Sequence, residues 1–221
     1  MNNSKLYLAM IVLSAWVARA AAVDFFTFNN INAAIPDGQP AGVSDVQTVA
    51  SGINQIASVA VSLNISGNFN GDLYCHLQFN SALAVLLNRA GRTAANPFGY
   101  DDSGFNLVLS DTAAAGNIHT YRGVVTPGAG LPLTGTWQPD GRTTSPALVL
   151  DTDSALAGLS GFNGMNPNGQ WTLFVADLSS GGTSVLNSWG LIITAVPEPS
   201  VSSLAALGIS AFSFLILRRR R

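Results

Sequence analysis

In the stretch Leu73-Tyr74-Cys75-His76-Leu77-Gln78-Phe79, an apolar side chain falls at every second position. A period of two belongs to a strand with one buried face. It puts Leu73, Cys75, Leu77 and Phe79 inward and His76 on the outer face. Residues 59–65 alternate the same way, with Val59, Val61, Leu63 and Ile65 inward, and the Gly- and Asn-containing residues 67–71 join the two runs. The pattern returns near the end of the chain. Trp171, Leu173 and Val175 share one face, and so do Trp189, Leu191 and Ile193. Residues 85–88 and 105–109 are short apolar runs, although residues 82–87 also fit a single helical turn. Sustained 3.6-residue periodicity is missing from residues 23–195. Short strands joined by Gly-, Asn- and Asp-rich connections predict an all-β body, an antiparallel sandwich or barrel. Residues 127–146, rich in Gly, Pro and Thr, read as a long surface loop that anchors Trp137.

The acids support this. Every acidic residue between positions 23 and 195 is Asp and none is Glu. Asp favours turns and caps, whereas Glu favours helices. In the same span Arg89, Arg92, Arg122 and Arg142 face eleven aspartates, a net charge of −7, while the basic termini bring the whole chain to −2. An acidic body without a basic cluster excludes nucleic acid, whose binding needs neutralising cations. Cys75 is the one cysteine, so no internal disulfide forms, and its neighbours make it a small buried apolar group. Trp171, Trp189, Leu173, Leu191 and Cys75 are the expected core.

Both ends carry a different code. Lys5 precedes the apolar residues 6–18, and the small residues around Ala20 and Ala22 follow. This is a basic, apolar and cleavable arrangement, a signal peptide read by Sec machinery and signal peptidase over residues 1–22. At the other end Pro197, Glu198 and Pro199 lead into an uncharged segment closed by Arg218, Arg219, Arg220 and Arg221. Residues 201–217 span roughly 25 Å as a helix, barely enough for a bilayer core of about 30 Å. The four arginines hold its basic end in the cytoplasm. The order of these parts closely resembles the PEP-CTERM sorting signal. That resemblance implies a single C-terminal transmembrane helix within residues 196–221, transient residence at the inner membrane, recognition of Pro-Glu-Pro by an exosortase, and transfer to the cell surface or extracellular matrix.

A series of motifs starts near Ile35-Pro36-Asp37 and continues through Phe69 with Gly71-Asp72-Leu73, then Leu86-Leu87-Asn88-Arg89-Ala90-Gly91. Tyr100-Asp101-Asp102 and Gly135-Thr136-Trp137-Gln138-Pro139 follow. In this order they resemble the P domain (P/Homo B domain) of proprotein convertases and bacterial subtilisin-like proteases, and the resemblance covers nearly all of residues 23–195. It is strongest where Asn168-Gly169-Gln170-Trp171-Thr172-Leu173, Asp177 and Ser188-Trp189-Gly190-Leu191 keep family order and spacing. It departs at Asn80-Ser81-Ala82, where the family has a Ser-Pro-x-Gly-Thr turn. The resemblance implies a jelly-roll β-sandwich, galactose-binding-like. Gly71 and Gly169 suit positive φ, and Asp72 and Asp177 suit turn caps.

In that family the domain accompanies a catalytic domain, and the 34 residues ahead of Ile35 are too few for one. His76 and His119 are the only histidines and lie in no recognisable catalytic setting. No catalytic residues are expected, and no cofactor is required. Asp101 and Asp102, in a Gly- and Ser-containing loop, are candidate calcium ligands, since hard cations take carboxylate oxygens. Trp137, Tyr121 and Tyr100 are candidates for an exposed stacking platform for exopolysaccharide or another partner. The expected function is an exported, non-catalytic binding or structural module. The alternatives are an accessory chain for a separately encoded subtilisin-like serine protease and a carbohydrate-binding sandwich.

Overall fold

Alternation along the chain becomes strand pairing across two sheets. The computed structural model describes residues 21–197, of which Ala22–Val196 form one compact unit. Ten strands follow in order: β1 (Val23–Phe28), β2 (Ala33–Ile35), β3 (Gln39–Val49), β4 (Ile56–Ser66), β5 (Leu73–Phe79), β6 (Ala82–Asn88), β7 (Phe105–Ser110), β8 (Leu133–Trp137), β9 (Gly169–Asp177) and β10 (Ser184–Ala195). One sheet has the order β1-β10-β4-β7-β8, with β2 also on β10, and the other is β3-β9-β5-β6. All the pairs are antiparallel except β7 with β8. The fold is an all-β sandwich.

The predicted inward faces form the core. Val59, Val61, Leu63 and Ile65 of β4 oppose Leu73, Cys75, Leu77 and Phe79 of β5, and all are buried. Trp171 stacks on Phe79 with ring centroids 4.2 Å apart, and its indole N–H donates to the Pro167 carbonyl at 2.9 Å. Trp189 lies on the other sheet and donates across the sandwich to Asp45 of β3 at 2.7 Å. A buried indole of this size stabilises by on the order of 2–3 kcal/mol or more. Its N–H must then find an acceptor, which both tryptophans do.

The structure corrects three local readings. Residues 82–87 are strand and not a helical turn, as β6 pairs with β5 from Tyr74↔Asn88 to Phe79↔Ala82. The rebuilt turn between them is only Asn80-Ser81, with Asn80 in the left-handed region at φ 52°, where Asn is tolerated. Residues 127–146 are not all loop, because β8 lies within them and runs parallel to β7. Gly71 does not have positive φ. It is needed for space, since a Cβ there would collide with the Phe98 carbonyl and the Tyr100 amide. Gly169 does have the expected positive φ, at 136°.

Among the described residues no helix is long and apolar enough to cross a membrane. The transmembrane helix expected after position 200, Glu198, Pro199 and Arg218 to Arg221 lie outside the described residues, as does nearly all of the expected signal peptide.

Candidate functional site

Three loops at one end of the sandwich meet around a groove of about 830 Å³. The first is the turn before β5. Phe69 takes left-handed φ (60°) ahead of a short 3₁₀ turn, Asn70–Asp72. Asn70 is fully buried and ties this turn to the second loop, residues 89–104 between β6 and β7. Its side chain accepts from the Gly104 amide at 2.7 Å and donates to the Gly104 carbonyl at 3.1 Å. The Gly71 amide also donates to the Tyr100 carbonyl at 2.7 Å. The third loop, between β9 and β10, supplies Ser179 and Gly181.

A charged cluster lies behind the groove and reaches it through Asp72. Arg89, buried and itself at φ 53°, donates through Nε to the Gly71 carbonyl at 2.7 Å and through Nη2 to Asp72 at 3.3 Å and Ser179 at 3.0 Å. Asp72 therefore pairs with an arginine and does not cap a turn. Asp177 does cap one, accepting from the Ser179 amide at 3.3 Å. Loss of hydration, with Asp72 and Asp37 nearby, raises Asp177 to about 6. Burial also raises Asp72, against the pull of Ser179 and Arg89. The rim is aromatic, with Phe98 71% exposed and Phe69 40%.

The candidate calcium ligands are occupied by protein. Arg122 bridges Asp101 (2.5 Å) and Asp102 (2.7 Å), and Tyr121 donates to the other oxygen of Asp102 at 2.5 Å. The guanidinium also sits 4.8 Å from the centroid of the Tyr100 ring. Hydrogen bonding from Arg122 holds the Asp101 carboxyl below its ordinary range. Burial and the bond to Asp102 push the Tyr121 phenol up. A cation already fills this pair, so these two residues do not fit a calcium site. The stacking platform is not formed either: Tyr121 is 0% and Trp137 3% exposed. Their rings pack edge-on at 6.2 Å, and the Trp137 indole donates to the Thr134 carbonyl at 2.9 Å. Only Tyr100, half-buried, reaches the groove.

The two histidines are held in place by structure. His119 is wholly buried, with Nδ1 2.8 Å from Asp140 and Nε2 3.0 Å from the Arg92 carbonyl, so neither ring nitrogen faces a hydroxyl. Asp140 is shared with the Asn88 amide and with Arg142. His76 stacks on Phe174 at 4.9 Å on the outer face of β5, and burial pulls it down. Cys75 is buried and free. Phe98, Arg89 and Arg122 were not singled out as site residues by the sequence, and Asp177 was read there only as a turn cap. The one local sign of the groove was an aromatic set between Pro97 and Gly99.

No family model matches the chain, and no curated protein sequence matches it. Two solved structures show a loose likeness of fold. One is the serine protease of Aeromonas sobria, and the other is that protease in complex with the chaperone ORF2. Each is 14% identical with a TM-score of 0.44, and the matches cover 80% and 81% of this chain. The chain spans 28% of the length of either.

Proposed function

We propose that the chain is an exported, non-catalytic module of P-domain type, a jelly-roll sandwich that acts by binding. In this reading Sec machinery and signal peptidase remove residues 1–22, and an exosortase reads Pro197, Glu198 and Pro199. The body is then passed to the cell surface or matrix. One observation carries it. The sandwich begins with β1 at Val23 and ends with β10 at Ala195, so the two expected processing signals abut the first and last strands of the chain. Cell fractionation with N-terminal sequencing tests it. The expected product starts at Ala21 or Val23 and is found in the envelope or medium. A cytosolic chain that retains Met1 would refute export.

The partner favoured here is a protein, a subtilisin-like serine protease made as a separate chain. The support is local. The Phe69-x-Gly-Asp turn that carries the P-domain likeness also builds one wall of the groove. Exopolysaccharide loses support because two of its three proposed rings are buried. Co-purification of the exported chain with such a protease is the expected result. Recovery of the chain with polysaccharide and no protease would reverse the choice.

A further inference from the structure

The two edges of the four-stranded sheet are finished differently. At β6 the segment after β8 supplies the missing partner. Asp140 and Gly141 donate to the Leu86 and Val85 carbonyls, and the Val85 amide donates to the Ala157 carbonyl. At β3 nothing does so. Among the described residues, no backbone group of residues 43–49 bonds outside the ladder with β9. A strand directs its N–H and C=O groups alternately to either side, so β3 keeps a row of unused donors and acceptors. Natural edges are commonly blunted by lysine, proline or a bulge. Residues 43–49 contain neither of those residues. Their ladder is regular from Val43↔Val175 to Val49↔Gly169, and the irregularity lies before it, between Gln39 and Val43. Val46, on the outer face, is 50% exposed.

The side chains select the occupant. Asp45 is the only charged residue of β3. An inward-pointing charge guards an edge, but this one is already satisfied. It accepts from the Trp189 indole at 2.7 Å and from the Gln47 amide at 2.8 Å. Antiparallel pairing with a second β3, about a two-fold axis at Val46, sets Asp45 opposite Gln47 and Ser44 opposite Thr48. It also sets Val43 opposite Val49 and Val46 opposite itself. Apolar residues then meet apolar ones, hydroxyls meet hydroxyls, and the carboxylate meets an amide. An axis at Asp45 opposes two carboxylates, and an axis at Gln47 leaves Val43 and Ser44 without opposite numbers. A slip of one residue turns the core face of one copy outward.

We infer that two copies of this chain pair through β3, joining their four-stranded sheets into one continuous sheet with Val46 on the two-fold axis. The interface is isologous, the same strand serving on both sides. A single strand pair buries less than the roughly 1,200 Å² of a standard interface, so the dimer is reversible, with a Kd of about 1–100 µM. Each body carries four arginines against eleven aspartates, so the copies repel and salt strengthens their pairing. The inference stands independently of any protease partner.

The test is sedimentation equilibrium of the full-length chain in density-matched detergent micelles. Wild type should show a monomer–dimer equilibrium that tightens about threefold or more between about 0.05 M and about 0.5 M salt. Val46→Lys and Val46→Glu place like charges opposite each other on the axis, and each should weaken the dimer at least about tenfold with an unchanged melting temperature. An equimolar mixture of the two variants should recover the dimer, because an axis at residue 46 sets the lysine against the glutamate. Two chains that merely share a micelle show neither effect. A wild-type chain that stays monomeric up to about 500 µM would overturn the inference, whether β3 stays bare or another segment of the chain covers it. Dimers left intact by both variants, or a mixture no tighter than either variant alone, would overturn it too. Any of these results alongside co-purification with a protease would remove the β3 pairing and leave the proposed function standing.

Discussion

Two polar clusters lie beneath the surface of this sandwich, and they are built oppositely. In one, His119, Asp140 and Arg142 are sealed under the loop after β8. His119 and Asp140 are fully buried, and backbone groups complete the set. That loop also covers the open edge of β6, since Asp140 and Gly141 donate to the carbonyls of Leu86 and Val85. In the other, Asp72 lines a groove rimmed by exposed phenylalanines, and Arg89 and Asp177 are buried behind it. The first cluster replaces a lost strand partner and closes an edge, which a sheet must do to avoid pairing with other chains. The second closes nothing. Its charges are matched by Arg89 and by the β9–β10 loop, and Asp72 sits at the wall of a groove that water can enter.

The sharpest way to break this contrast is Asp140→Ala. It leaves a histidine, an arginine and an amide without their shared acceptor inside the fold, and should lower stability by about 3–5 kcal/mol in urea denaturation. Arg89→Ala should lower it less, by about 1–3 kcal/mol, because water in the groove can hydrate the freed Asp72. Equal losses would mean that the two clusters are equally closed.

Asp177 supplies a pH test. Its ordinary value is 3.8 and the fold raises it to about 6, so the folded state holds the proton more tightly. The stabilisation from that proton is complete below about pH 4 and is lost as pH rises through about 6. Melting temperatures of Asp177→Asn between pH 4 and 8 should lack this decline, and the variant should exceed wild type at pH 7. The smallest effect belongs to Asp101→Ala. Its ion pair with Arg122 is largely exposed, so its removal should change stability by less than about 1 kcal/mol. With Arg122 in the place proposed for calcium, EDTA should leave the melting temperature unchanged in both wild type and this variant.

The sheets were legible wherever one face was purely apolar, as along Leu73 to Phe79 and Trp171 to Val175. β3 was hidden because its inward face carries Asp45 and Gln47, which the cross-sandwich bond from Trp189 makes tolerable. β1 was hidden because Phe25 and Phe26 are adjacent: the first is exposed and the second turns toward the core. β8 was hidden because its partner is parallel and comes from no local hairpin, so no turn signal marks it. The site was the least legible part. Tyr100, Asp101, Asp102, Tyr121 and Trp137 do cluster, but their meaning changes once Arg122 and Asn70 join them. The groove needs loops from three distant parts of the chain, and no local pattern encodes that meeting.

Amide hydrogen exchange of the full-length chain tests the distinction between open and closed clusters most directly. Faster exchange is predicted in residues 96–101 and 178–181, which line the groove, than at the Asp140 and Gly141 amides, which bond to the Leu86 and Val85 carbonyls under the sealed cluster. Equal rates, or faster exchange at Asp140 and Gly141, would contradict it.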